Sequence, residues 1–137
     1  MSKPSEGELE ILRILWHASP ATVRQVNERL NEQRPVGYTT TLKQMQIMHE
    51  KGLLSREKEG KTHLYRPLIS ENETRSRLID KLLDSAFGGS TAELVMQALG
   101  HHRTSREELD EIRQLLDQLE EDQNNDDSAS DPQNSPA

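Results

Sequence analysis

The sequence predicts a mainly α protein in which three short helices and a β-hairpin form one module and further helices follow it. Three observations carry that reading. Apolar residues recur every three to four positions in six separate stretches, the spacing that lines one face of a helix. Ser-x-x-Glu or Thr-x-x-Gln pairs head several of these stretches, and such pairs satisfy the free N–H groups of a helix start reciprocally. One pair of extended segments, turned by a glycine and rich in cations, interrupts the helical pattern between residues 53 and 66.

Ser5-Glu6-Gly7-Glu8 opens the first helix, expected from Glu6 to Ala18, with Leu9, Leu12, Leu15 and Trp16 at helical spacing. Trp16, beside Leu12 and Leu15, is assigned to the core rather than to stacking on a base. Ser19-Pro20-Ala21 breaks the helix, and the Thr22 to Gln25 box starts a second one whose stripe is Val23, Val26 and Leu30. Asn31 to Gly37, with Pro35, reads as the turn before the third helix. That helix runs from Tyr38 to Lys51, stops at Gly52 and buries Leu42, Met45 and Met48. Its exposed positions are then Thr39, Thr40, Lys43, Gln44 and Gln46. Leu53 to Glu57 and Thr62 to Arg66 are extended segments around Lys58-Glu59-Gly60-Lys61, with Tyr65 expected to pack inward.

Three helices followed by a hairpin wing define a winged helix-turn-helix. Threonines, glutamines and a lysine at the start of its third helix can donate to phosphates and base edges. The groove-facing threonine run, Thr39-Thr40-Thr41, consists of poor helix formers, which contact with DNA explains better than capping. Lysines at the wing tip, flanked by Arg56 and Arg66, meet the backbone. The candidate DNA-binding residues are therefore Thr39, Thr40, Lys43, Gln44, Gln46, Lys58 and Lys61. A net charge of −7 does not oppose this, because it is an average: residues 1–68 carry eleven Lys/Arg against eight Asp/Glu, and residues 69–137 six against sixteen. Screening confines charge effects to ~8 to 10 Å at ordinary salt, so the local field decides.

Beyond Pro67, Ser70 to Glu73 opens a helix bearing Leu78, Ile79, Leu82, Leu83 and Phe87, stopped by Gly88-Gly89. Ser90 to Glu93 opens another with Leu94, Val95, Ala98 and Leu99, stopped by Gly100. Thr104 or Ser105 opens the last, with Leu109, Ile112, Leu116 and Leu119. Three short helices share too little surface for an independent core, so a second copy of the chain is the economical partner. Packing back onto the first module is the alternative. The candidate dimer contacts are Leu78, Leu82, Phe87, Leu94, Val95, Leu109, Ile112 and Leu116. The expected organisation is a DNA-binding domain over residues 1–68, a helical dimerisation region over 69–121 and a disordered acidic tail over 122–137.

Other classes find little support. The 137 residues, 31% apolar, suffice for one core and an appendage, and there is no cysteine. No apolar run approaches the ~20 residues that cross a bilayer, and the opening segment lacks a signal peptide's apolar centre, so a cytoplasmic protein is expected. No Gly-rich phosphate loop, Gly-x-Ser-x-Gly elbow or His-Glu-x-x-His is present, and neither a catalytic residue nor a cofactor is assigned. His101-His102, in an expected loop, lack a third ligand at characteristic spacing, so no metal site is assigned either. The competing function is a winged-helix module whose third helix docks another protein.

Gly7-Glu8-Leu9-Glu10-Ile11-Leu12 with Leu15-Trp16, Pro20-Ala21-Thr22-Val23, Tyr38-Thr39-Thr40, Glu50-Lys51-Gly52-Leu53-Leu54, Tyr65-Arg66-Pro67-Leu68 and Phe87-Gly88-Gly89-Ser90 together resemble the penicillinase repressor family, of BlaI and MecI type. The resemblance implies a homodimeric transcriptional repressor on palindromic operators, with Thr39, Thr40 and Lys43 facing the major groove and Lys58 and Lys61 on the wing. Members that answer β-lactams are cleaved at an Asn-Phe bond after a Leu-Val-x pattern. Here Leu94-Val95-Met96 is followed by Gln97-Ala98, and the cysteine cluster of copper-responsive members is missing. An upstream sensor or protease is therefore left unassigned.

Overall fold

The computed structural model describes residues 4–129. Its elements are α1 (Glu6–Ala18), α2 (Val23–Asn31), α3 (Tyr38–Glu50), β1 (Leu54–Glu59), β2 (Thr62–Pro67), α4 (Glu71–Ala86), α5 (Thr91–His101) and α6 (Arg106–Ala129). They form two compact units, dividing between Gly89 and Ser90.

In the first unit both expected capping boxes are present. The Ser5 N–H donates to Glu8 Oε1 at 2.9 Å and the Glu8 N–H to Ser5 Oγ at 3.2 Å; Thr22 and Gln25 repeat the pattern at the head of α2. The core they frame contains Ile11, Leu12 and Leu15 of α1, Val26 of α2, Met45 and Met48 of α3, and Leu53, Leu54 and Tyr65 from the hairpin. The third helix departs from expectation by one position. Thr41, not Leu42, is fully buried, while Leu42 is half-buried and packs at the edge of the core. Thr41 thus belongs to the interior, and only Thr39 and Thr40 of the threonine run face solvent.

The hairpin is antiparallel, with Leu54 opposite Pro67 and Glu59 opposite Thr62. The turn is therefore only Gly60-Lys61, where Gly60 takes φ 64°, a left-handed conformation that glycine adopts without strain. Lys58 accordingly lies within β1, opposite His63, rather than in the turn. On its other side β2 is held by Ala21: the Ala21 N–H donates to Tyr65 O at 3.1 Å and the Tyr65 N–H to Ala21 O at 2.8 Å. The wing is thereby tied to the chain between α1 and α2.

The first unit does not end after residue 68. Trp16 Nε1 donates to Ile69 O at 2.9 Å, and Ile69 and Thr74 are buried, so the start of α4 is anchored on α1. Gly88 and Gly89 close α4 with φ of 55° and 83°, and the Gly89 N–H returns to Leu83 O at 2.8 Å.

The second unit contains α5 and α6, begun by Ser90 and Ser105, whose hydroxyls accept the Glu93 and Glu108 N–H groups. Two expectations are corrected here. Gly100 does not stop α5, which includes His101, and His102 is its cap rather than a loop residue. Regular structure does not end at residue 121: α6 continues to Ala129, with Gln118 Nε2 donating to Asp122 Oδ1 at 3.1 Å. Once a helix is nucleated, each added residue costs little, and α6 continues over polar residues without an apolar stripe. The rest of the expected tail, residues 130–137, lies outside the described residues.

Candidate nucleic-acid interface

The turn between α2 and α3 is stitched by two asparagines. Asn27 Nδ2 donates to Val36 O at 3.0 Å and to Thr41 Oγ1 at 2.9 Å. Asn31 accepts the Val36 N–H at 3.0 Å and donates to Val36 O at 2.9 Å. These bonds fix where α3 begins, and α3 begins without a side-chain cap, on Gly37. Its first N–H groups are therefore open to an anion.

Thr39, Thr40, Lys43 and Gln46 are exposed along the outer face of α3. Gln44 is not their equal: it is half-buried, and a methyl group at Gly7 would lie 2.5 Å from its Nε2. That amide packs against α1. At the far end of α3, Lys51 Nζ reaches both carboxylate oxygens of Glu8, at 2.9 and 2.8 Å, so its charge is neutralised within the protein. Lys43, Lys58 and Lys61 have no carboxylate partner among the described residues.

The wing sorts its charges by face. Directly opposed residues in an antiparallel pair project to the same side and alternate along each strand. Arg56 opposite Tyr65 and Lys58 opposite His63 therefore share one face, while Glu57 opposite Leu64 and Glu59 opposite Thr62 take the other. Arg66, opposite Ser55, falls on the acidic side. The cationic side borders a cleft of about 350 Å³ shared with α2 and α3, whose lining includes Arg24, Tyr38, Gln46, Lys61 and His63. No carboxylate lines it, whereas the clefts along α1 and α2 carry Glu10 and Glu32, or Glu28 and Glu32.

The structure thus joins Thr39, Thr40, Lys43 and Gln46 on one helix face, Gln46 and Lys61 on one cleft, and withdraws Gln44. Arg24, Tyr38 and His63 are additions. Residue alternation in the hairpin offered a signal for His63; for Arg24 there was none, since its nearness to the wing is a tertiary fact. Among the described residues, no three His, Asp or Glu side chains are grouped to hold a metal ion, and no helix is long and apolar enough to cross a membrane.

Three helices, a tied hairpin wing and an exposed third helix define a winged helix-turn-helix protein. The chain matches the penicillinase repressor family over residues 4–118 and belongs to that family. It is 25% identical over 114 residues to the penicillinase repressor of Bacillus licheniformis, covering 83% of this chain and 89% of that protein. The transcriptional regulator BlaI of Mycobacterium tuberculosis is 30% identical over 118 residues, with 83% and 84% covered. The methicillin resistance regulatory protein MecI of Mammaliicoccus sciuri is 23% identical over 112 residues, with 82% and 91% covered. The solution structure of the DNA binding domain of the repressor BlaI aligns with 53% of this chain and 90% of its own, at 28% identity and a TM-score of 0.45.

Proposed function

We propose that the protein is a sequence-specific DNA-binding transcriptional repressor that acts in the cytoplasm as a homodimer on a palindromic operator. The observation that carries this reading is the arrangement around α3: exposed hydroxyl, amide and cationic side chains on one helix face, continued by wing cations whose neighbouring carboxylates are turned away. Thr39, Thr40, Lys43 and Gln46 would enter the major groove, and Lys58 and Lys61 would neutralise backbone phosphates. Family membership supports the same role.

The dimer is supported by apolar side chains left in solvent. Leu82, Val95 and Leu116 are 43%, 40% and 53% exposed, and Leu78, Phe87, Leu94, Leu109 and Ile112 are only half-buried. A two-fold dimer reads half-sites separated by whole turns of the duplex, multiples of ~34 Å, and repression follows from occupying a promoter. Gln97-Ala98 lies within α5.

Fluorescence anisotropy with duplex from the protein's own upstream region and with a scrambled duplex, at several salt concentrations, tests the reading. Tight binding to the native duplex alone, two subunits per site and a steep fall with salt are expected. Weak, equal binding to both duplexes would instead favour a protein-docking module.

A further inference from the structure

A second cleft, of about 290 Å³, lies between α1 and α2 and shares no lining residue with the one beside the wing. Glu10, Arg13, Ile14 and His17 reach it from α1, at the spacing of one helix face. Arg29 and Leu30 reach it from α2, and Glu32 from the cap of that helix. Leu30 is buried and Ile14 packs against the core, so part of the wall is apolar. Arg13 and Arg29 are exposed and have no carboxylate partner among the described residues. The Glu10 carboxylate is already engaged by Arg34, whose Nη2 donates to Oε1 at 2.5 Å and whose Nε donates to Oε2 at 3.4 Å. Against two unpaired guanidiniums the cleft therefore sets one unpaired carboxylate, Glu32.

Guanidiniums beside an apolar wall suit a small organic anion. A carboxylate meets the planar fork of arginine in paired, charge-assisted hydrogen bonds, and an apolar body removes the surface of Ile14 and Leu30 from water. The volume falls at the small end of ligand pockets, ~300 to 1,000 Å³, which suits a small molecule rather than a segment of a macromolecule. We infer that this cleft binds a small organic carboxylate and that filling it weakens the hold of the protein on DNA. The ligand is argued from the cleft alone; the consequence rests on the DNA-binding function proposed above.

The walls of the cleft also hold two connections that leave it. Arg34, gripped by Glu10, lies in the turn that leads to Gly37, on which α3 begins. His17 Nε2 lies 4.0 Å from Glu71 Oε2 in the first turn of α4. A carboxylate seated on Arg13 and Arg29 places a second negative charge beside Glu10. It repels Glu10 and offers Arg34 another partner, so the filled cleft favours a different arrangement of the turn that presents α3. A ligand shifts such an equilibrium by the difference in its affinity for the two arrangements.

The test begins with amide NMR spectra of the full chain titrated with sodium benzoate and, separately, with the neutral benzamide, ionic strength being matched with sodium chloride. Benzoate should give saturable shifts centred on Ile14 and Leu30, and benzamide should bind roughly tenfold more weakly or worse. Arg13→Gln combined with Arg29→Gln, both at exposed positions and checked for folding by thermal melting, should lose a similar factor. Glu32→Gln, which removes the opposing charge, should strengthen binding. In anisotropy with the native duplex, saturating benzoate should lower affinity roughly fivefold or more, and saturating duplex should weaken benzoate by the same factor. Arg34→Gln should keep the benzoate site and lose its effect on DNA.

Benzoate that gives no saturable shift, or that binds wild type and the double arginine variant alike, would overturn the site. Saturable binding at the cleft with unchanged duplex affinity would overturn its coupling to DNA. A wild-type protein that binds benzoate there and neither duplex would overturn the functional reading and leave the ligand site standing.

Discussion

Glu8 does two things at the residue scale: it caps α1 and it holds Lys51, 43 positions away, at the end of α3. The carboxylate is only 4% exposed. Burial pushes its pKa up, but the Lys51 ammonium and the Ser5 N–H outweigh burial and hold it below the ordinary 4.5. A depressed folded-state value stabilises the fold fully above the unfolded value, and the contribution is lost as pH falls through the folded one. Glu8→Gln is therefore expected to lower unfolding free energy at pH 7 by about 1 to 3 kcal/mol. The gap to wild type should close below about pH 4.5, as urea titrations at pH 7, 5 and 3.5 would show. Parallel curves at all three values would remove the pair from the stability account. Lys43, with no such partner, should behave oppositely. Lys43→Ala should leave stability within about 0.5 kcal/mol and weaken operator binding by about 1 to 3 kcal/mol if it contacts a base. An unchanged binding curve would exclude it from the interface.

At the scale of elements, what presents α3 to its surroundings is the short turn before it, and Asn27 is the centre of that turn. Its amide serves Val36 O and Thr41 Oγ1 at once; truncation leaves the buried Thr41 Oγ1 without its donor, while Val36 O keeps the Asn31 amide. Asn27→Ala is expected to cost about 1 to 3 kcal/mol in stability and to weaken binding of both native and scrambled duplex, because the start of α3 loosens. A urea melt and the anisotropy assay on the same preparation would decide; unaltered stability would mean water replaces the amide. Helix starts were legible in the sequence because capping boxes are local: Ser5 with Glu8 and Thr22 with Gln25 name their own partners. The role of Thr41 was not legible, since three consecutive threonines look alike until Asn27 arrives from another helix. The Ala21–Tyr65 pairing was likewise hidden, being a contact between residues far apart in the chain. Gln44 was misplaced because Gly7, which makes room for it, carries no pattern of its own. The continuation of α6 past residue 121 was missed because periodicity reports buried faces, and an exposed polar helix has none.

For the whole molecule, the decisive fact is the contrast between a closed core and open apolar faces. Ile11, Leu12, Leu15, Val26, Met45 and Met48 are completely buried, whereas Met96 of α5 and Leu115 of α6 are 65% and 56% exposed. No residue of α5 is fully buried. Apolar surface on this scale favours association, since each Å² removed from water contributes about 25 cal/mol. If a second copy covers it, two DNA-binding modules become one bivalent ligand, and the second half-site is met at an effective concentration that raises affinity by about 10² to 10⁴. Leu82→Glu and Leu116→Glu, which place a carboxylate on α4 or α6, should therefore lower dimer content and operator affinity in step. The first unit should meanwhile keep its melting transition, because neither side chain contributes to its buried core. Sedimentation equilibrium and anisotropy at matched concentrations would show the coupling. Each monomeric variant should retain weak binding to a single half-site and lose the gain from the second. A variant that remains dimeric with undiminished affinity would exclude its stripe from the interface. A fully monomeric variant with undiminished affinity would show instead that one module reads the operator alone.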